Sequence, residues 1–203
     1  MKSLNFKFSI ITALFVILIF GFSSCQNSKN TDTNPENSLN IDDDYYEFQG
    51  FNLKDFDIPA IIMLPDETAN IGASTKPEVI HAEDDFKWEI IVGQNFQLLI
   101  DDWGDYTDMV ESRKKELKEL EFYKINYLID DKDFILYEQE LKVDGSSKAA
   151  STVGIPHKSY HVYAQKVIDG VTYVFRSRDE GYEKMITELI AKSIKSVKPH
   201  KAS

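Results

Sequence analysis

The chain holds a single cysteine, Cys25, among its 203 residues, so no disulfide can close within it. Any part of it outside the cytoplasm must be held by its core alone. Positive charge is also scarce: 23 lysines and arginines stand against 34 acidic residues, a net charge of -11. Lys2 and Lys7 are the only charged residues before position 25, so the rest of the chain carries about -13. Nucleic-acid phosphates and anionic headgroups are bound through clustered Lys and Arg, and this acidic surface excludes nucleic acid as a partner. Motifs for covalent chemistry are missing too. There is no G-x-S-x-G elbow and no Ser-x-x-Lys with its supporting motifs. The stretch "DGSSKAAS" lacks the spacing and the following apolar helix of a phosphate-cradling loop. No internal repeat of fixed period occurs, and the longest apolar run falls short of the roughly 20 residues that span a bilayer. These absences predict a chain that is not an enzyme and carries no cofactor.

What is present begins with that apolar run. Lys2 and Lys7 form a short basic region, Ser9–Phe20 ("SIITALFVILIF") follows, and the small residues Ser23 and Ser24 lie directly before Cys25. The order is that of a secretory signal peptide. Phe22–Cys25 resembles a bacterial lipobox, with Phe22 where Leu is usual and Ser24 where Gly or Ala is usual. The resemblance implies cleavage before Cys25 and lipidation of its sulfur. The competing reading is a plain signal peptide or an uncleaved anchor with a free thiol after it. Gln26–Asn40 ("QNSKNTDTNPENSLN") weighs against that reading, because a run of Asn, Ser and Thr with one Leu is what a solvated tether requires. Two or more acyl chains, palmitate for example, at about 0.8 kcal/mol per buried methylene, anchor a domain where one does so only marginally. Gln26 in place of Asp implies no inner-membrane retention, and hence the outer membrane in a cell with two.

From about Tyr45 aromatic and β-branched residues become dense, and 42% hydrophobic composition suffices for one core. The expected organisation is a signal peptide over 1–24, the lipidated cysteine and tether over 25–44, one globular domain over 45–198, and a tail over 199–203. "YYEFQGF" and "FDIPAIIML" read as an opening pair of strands, with Pro59 placing the second at an edge or on a bulge. Pro65–Glu78 reads as a loop ending in a short strand at Val79. In "FKWEIIVGQNFQLLID", Phe86, Trp88, Ile90 and Val92 alternate with Lys87 and Glu89, and Phe96, Leu98 and Ile100 continue the period, the pattern of a hairpin with unequal faces and one side covered. Tyr106, Met109, Val110, Arg113, Leu117 and Leu120 are spaced for one side of a helix. "FYKINYLID" and "DFILYEQELKV" predict a second hairpin, turned at Asp130, Asp131 and Asp133. "SYHVYAQKVI" and "VTYVFRSR" predict a third, through Asp169-Gly170. Tyr182, Met185, Ile186, Leu189, Ile190, Ile194 and Val197 then mark a long terminal helix. The class is α+β: a mostly antiparallel sheet of hairpins packed against two amphipathic helices.

Few clusters look chemical. His157 and His161 are four apart, but in a strand that separates them by roughly 13 Å, too far for one metal ion. Asp101, Asp102, Asp105 and Asp108 surround Trp103 without the Gly and Glu of a calcium loop, and are predicted to cap the following helix. Tyr160 and Tyr163 are candidates for an exposed binding face. The order of elements, carried by "IIMLPDE", "FKWEIIVGQNFQLLID" and "VIDGVTYVFRSRDEGYEKMITELIAKSIKSV", resembles the PsbP-like fold across most of Tyr45–Lys198. That resemblance implies an accessory or binding role towards a protein or envelope component, and carries over no site residue. Cys25 is thus the one predicted site, a lipid anchor to the membrane of the bacterial envelope. A small envelope hydrolase and an immunity or regulatory lipoprotein are the alternatives.

Overall fold

Ten strands and two α-helices occur among the residues that the computed structural model describes, which are 44–72, 76–82, 85–142 and 158–200. In chain order they are β1 (Phe48–Asn52), β2 (Ala60–Pro65), β3 (Glu78–Ile80), β4 (Lys87–Val92), β5 (Phe96–Asp102), α1 (Met109–Lys118), β6 (Tyr123–Asp130), β7 (Phe134–Leu141), β8 (Lys158–Ile168), β9 (Val171–Ser177), α2 (Lys184–Ser196) and β10 (Lys198–Pro199). The expected hairpins β4–β5, β6–β7 and β8–β9 all form. Asp169 and Gly170, with φ of 50° and 87°, make the tight turn of the last one.

The strands make a three-stranded sheet, β1-β2-β10, and a seven-stranded sheet, β3-β4-β5-β9-β8-β7-β6. Every pairing is antiparallel, so the α+β class holds. Alternation gives the larger sheet two unlike faces. Its inner face presents Ile90, Leu98, Ile100, Val162, Ala164 and Phe175, which join Ile62 and Leu64 of β2 and Ile186, Ile190 and Ile194 of α2 in one core. Its outer face is covered by α1 over β7 and β8, where Val110 and Leu117 pack on Ile135 and Tyr137.

Several expectations are corrected. β2 lies between β1 and β10 rather than at an edge. Pro59 precedes the strand, so its missing N–H interrupts no ladder, and its carbonyl accepts the His200 N–H at 2.8 Å. The residues expected to form a tail begin with β10, whose Pro199 pairs with Ala60. α1 is shorter than the apolar spacing suggests, which leaves Tyr106 and Leu120 outside it and exposed. Phe86, just before β4, and Met185, at the start of α2, are exposed as well. Nor does the acidic cluster cap α1: Asp108 sits at the N-cap with φ 61° and makes no side-chain cap bond. Gln165, reaching up from β8, accepts the Val110 N–H at 3.1 Å and satisfies that end of the helix instead. Asp102 serves a turn, accepting from the Gly104 N–H at 2.7 Å.

Candidate functional site

α1 covers only part of the outer face, and where its edge stops a cleft of about 250 Å³ opens onto the sheet. Register builds the floor. Residues paired across antiparallel strands point to the same face, so Tyr137 with His161, and Tyr163 with Arg176, line up on the outer side. Asp101, two residues beyond the Leu99 that pairs with Arg176, joins them from β5. Arg113 and Glu116 reach in from α1, and Lys87, Trp103, Arg178 and Asp179 stand around the rim.

Charge is dense here and mostly paired. Arg176 donates from Nε to Asp101 at 2.8 Å and from Nη1 to Asp179 at 3.0 Å. Arg113 donates to Glu116 at 2.9 Å and to the Tyr137 hydroxyl at 3.3 Å, and its guanidinium lies 5.9 Å from the centre of the Tyr163 ring. Its Nε is buried with no hydrogen-bond partner among the described residues. Arg178 donates to the Gly181 carbonyl at 2.9 Å and sits 4.1 Å over the Tyr182 ring. Lys87, Arg113, Arg176 and Arg178 face Asp101, Glu116 and Asp179, one cation more than carboxylates, in a chain of net charge -11.

Burial sets the titration of the neutral groups. It pushes the Tyr163 hydroxyl up to about 12, against the opposing pull of Arg113. It lowers the His161 imidazole to about 4, with the Arg113 charge adding to the effect, so that ring is neutral at pH 7. His161 stacks on Tyr137 with ring centres 5.0 Å apart, and its Nε2 shares a hydrogen bond of 2.8 Å with Ser159 Oγ. Gly181, at φ 72°, lies against the ring so closely that a Cβ there would stand 2.6 Å from it. A serine–imidazole contact can activate a nucleophile when a carboxylate orients the ring. Here Ser159 holds the one hydrogen bond of the His161 ring among the described residues. With the residue 3% exposed, the pair is a strut within β8.

The residues singled out in the sequence meet this cleft only in part. Cys25 and His157 lie outside the described residues. Tyr160 and Tyr163 do not share a face, since an odd offset along a strand separates them: Tyr160 donates to Glu138 at 2.9 Å while Tyr163 lies under Arg113. Asp101, Trp103, His161 and Tyr163, each singled out in the sequence for a different reason, do line the cleft, but Lys87, Glu116, Tyr137, Arg176, Arg178 and Asp179 were missed because they are scattered along the chain and follow no local spacing. Arg113 carried a local signal as well, a cation on the buried stripe of a predicted helix. No helix among the described residues is long and apolar enough to cross a membrane. Comparisons with protein-family models, with curated proteins and with solved structures gave no match.

Proposed function

We propose that the chain is a lipoprotein of the bacterial cell envelope, anchored through acyl chains on Cys25, whose folded domain binds another protein or envelope component without catalysing a reaction. The observation that carries the reading is the order of segments around Cys25: a basic start, a twelve-residue apolar run, small residues, the cysteine, then a polar tether. The cleft beside α1 supports a binding role, since it is concave, lined by a few convergent polar groups and bordered by an exposed tryptophan. The resemblance to the PsbP-like fold supports an accessory task in the same way. The chain then faces the periplasm or the cell exterior, on the outer membrane where there are two. Metabolic labelling with a fatty-acid probe tests the anchor. The full chain should take up label, and Cys25→Ala should remain an unlabelled, uncleaved precursor; label retained by Cys25→Ala would sink the reading.

A further inference from the structure

We propose that the cleft between α1 and the open part of the outer face binds the oxyanion of a small organic ligand, a carboxylate or phosphate carried on a ring, with Arg113 as its principal partner. This deepens the binding role above and rests on it for the biological setting.

Three features converge on an anion. Arg113, Arg176 and Arg178 bring guanidinium groups to one hollow, and the fork of a guanidinium matches carboxylate and phosphate oxygens two at a time. Arg113 is held ready: Tyr163 lies beneath it and the Tyr137 hydroxyl fixes one end. The cleft also has a cation excess within an acidic chain, and a hollow with low-dielectric walls concentrates such a field.

The carboxylates already present do not block the site equally. The Asp101 side chain is 11% exposed and fastens Arg176 to the sheet, whereas those of Glu116 and Asp179 are 63% and 84% exposed. Exposed ion pairs are weak because water screens them, so Glu116 and Asp179 yield to a better-placed bidentate anion. They act as lids of charge over the cleft, and Asp101 acts as its frame.

Size and rim define the rest of the ligand. A volume of about 250 Å³ lies just under the usual span of small-molecule pockets and suits one sugar- or amino-acid-sized group. Trp103, 42% exposed at the rim, offers a flat apolar surface for a ring.

Titration calorimetry on the full chain in polyoxyethylene detergent tests this, with glucuronate and glucose 6-phosphate as oxyanion probes and glucose as the neutral control. At least one oxyanion probe should bind, and which of them does so identifies the oxyanion; glucose should not bind. Affinity should fall as sodium chloride is raised. Arg113→Gln should weaken binding by about tenfold or more, and Arg113→Lys, which keeps the charge and loses the fork, should weaken it as well. Asp179→Asn removes a competing carboxylate at an exposed position and should tighten binding about two- to fivefold. The proposal is overturned if neither oxyanion probe binds by about 10 mM. Glucose binding equally well overturns it too, as does unchanged affinity in Arg113→Gln. Should Arg113→Gln fail to fold, Asp179→Asn decides, and unchanged or weaker binding there overturns the proposal. Purified chain is titrated whatever its lipidation, so failure here is distinct from failure of the anchor.

Discussion

The two faces of the seven-stranded sheet are made by the same strands and hide different chemistry. On the inner face Ile90, Leu98, Ile100, Ala164 and Phe175 are wholly buried and apolar. On the outer face the same strands bury Asp101 and His161 and present Arg176 and Tyr163. Apolar burial contributes stability in proportion to area and asks for no partner, whereas a buried polar group costs about 1–3 kcal/mol unless it is bonded. The outer face meets that demand with the Asp101–Arg176 and Ser159–His161 contacts. Stability therefore resides mainly on the inner face, and the charged cleft is assembled on the outer one.

The largest expected effect breaks the inner face. Phe175, in register between Ile100 and Ala164, is 0% exposed, and Phe175→Ala should cost about 3–5 kcal/mol through lost burial and the cavity left behind. Urea unfolding should show a lower midpoint with an unchanged slope. Leu99→Ala on the outer face of β5, where the side chain is only half-buried, should cost far less. Equal losses would abolish the asymmetry between the faces.

An intermediate effect sharpens the comparison through pH. His161 titrates near 4 in the fold and near 6.5 unfolded, because burial disfavours its charge. The unfolded chain binds more protons between those values, so the contribution to stability is fully present above about pH 6.5 and is lost as pH falls towards 4. At 1.36 kcal/mol per unit the whole contribution is roughly 2–4 kcal/mol. In His161→Gln the loss of stability between pH 7 and pH 4.5 should be smaller than in the parent chain. Identical losses in the two proteins would mean that the buried imidazole is not what makes the outer face acid-sensitive.

How much of this was legible before the structure depends on how far apart the cooperating residues lie. Trp88, Ile90 and Val92 announce their strand because alternation is local, and Asp169-Gly170 announces its turn because only a few residues accept positive φ. β10 was invisible, since two residues carry no period and it exists only because β2 offers an edge. The cap of α1 was misread for a related reason: Asp108 is the adjacent candidate, but the bond comes from Gln165, 55 residues away. The cleft repeats that lesson, since the Asp101–Arg176 pair spans 75 residues and is created by strand order.

The smallest expected effect bears on the outer face alone. Glu116 pairs with Arg113 at 2.9 Å one helical turn away, with its own side chain 63% exposed. Water screens such a pair and ordering two long side chains offsets the attraction, so Glu116→Ala should change stability by less than about 0.5 kcal/mol. Arg113 keeps its bond to the Tyr137 hydroxyl and its place over Tyr163. A loss well above 1 kcal/mol in thermal or urea unfolding would show that Glu116 holds the guanidinium in place. A near-zero change leaves Glu116 as a loosely held counter-charge, the condition under which an incoming oxyanion can replace it at small cost.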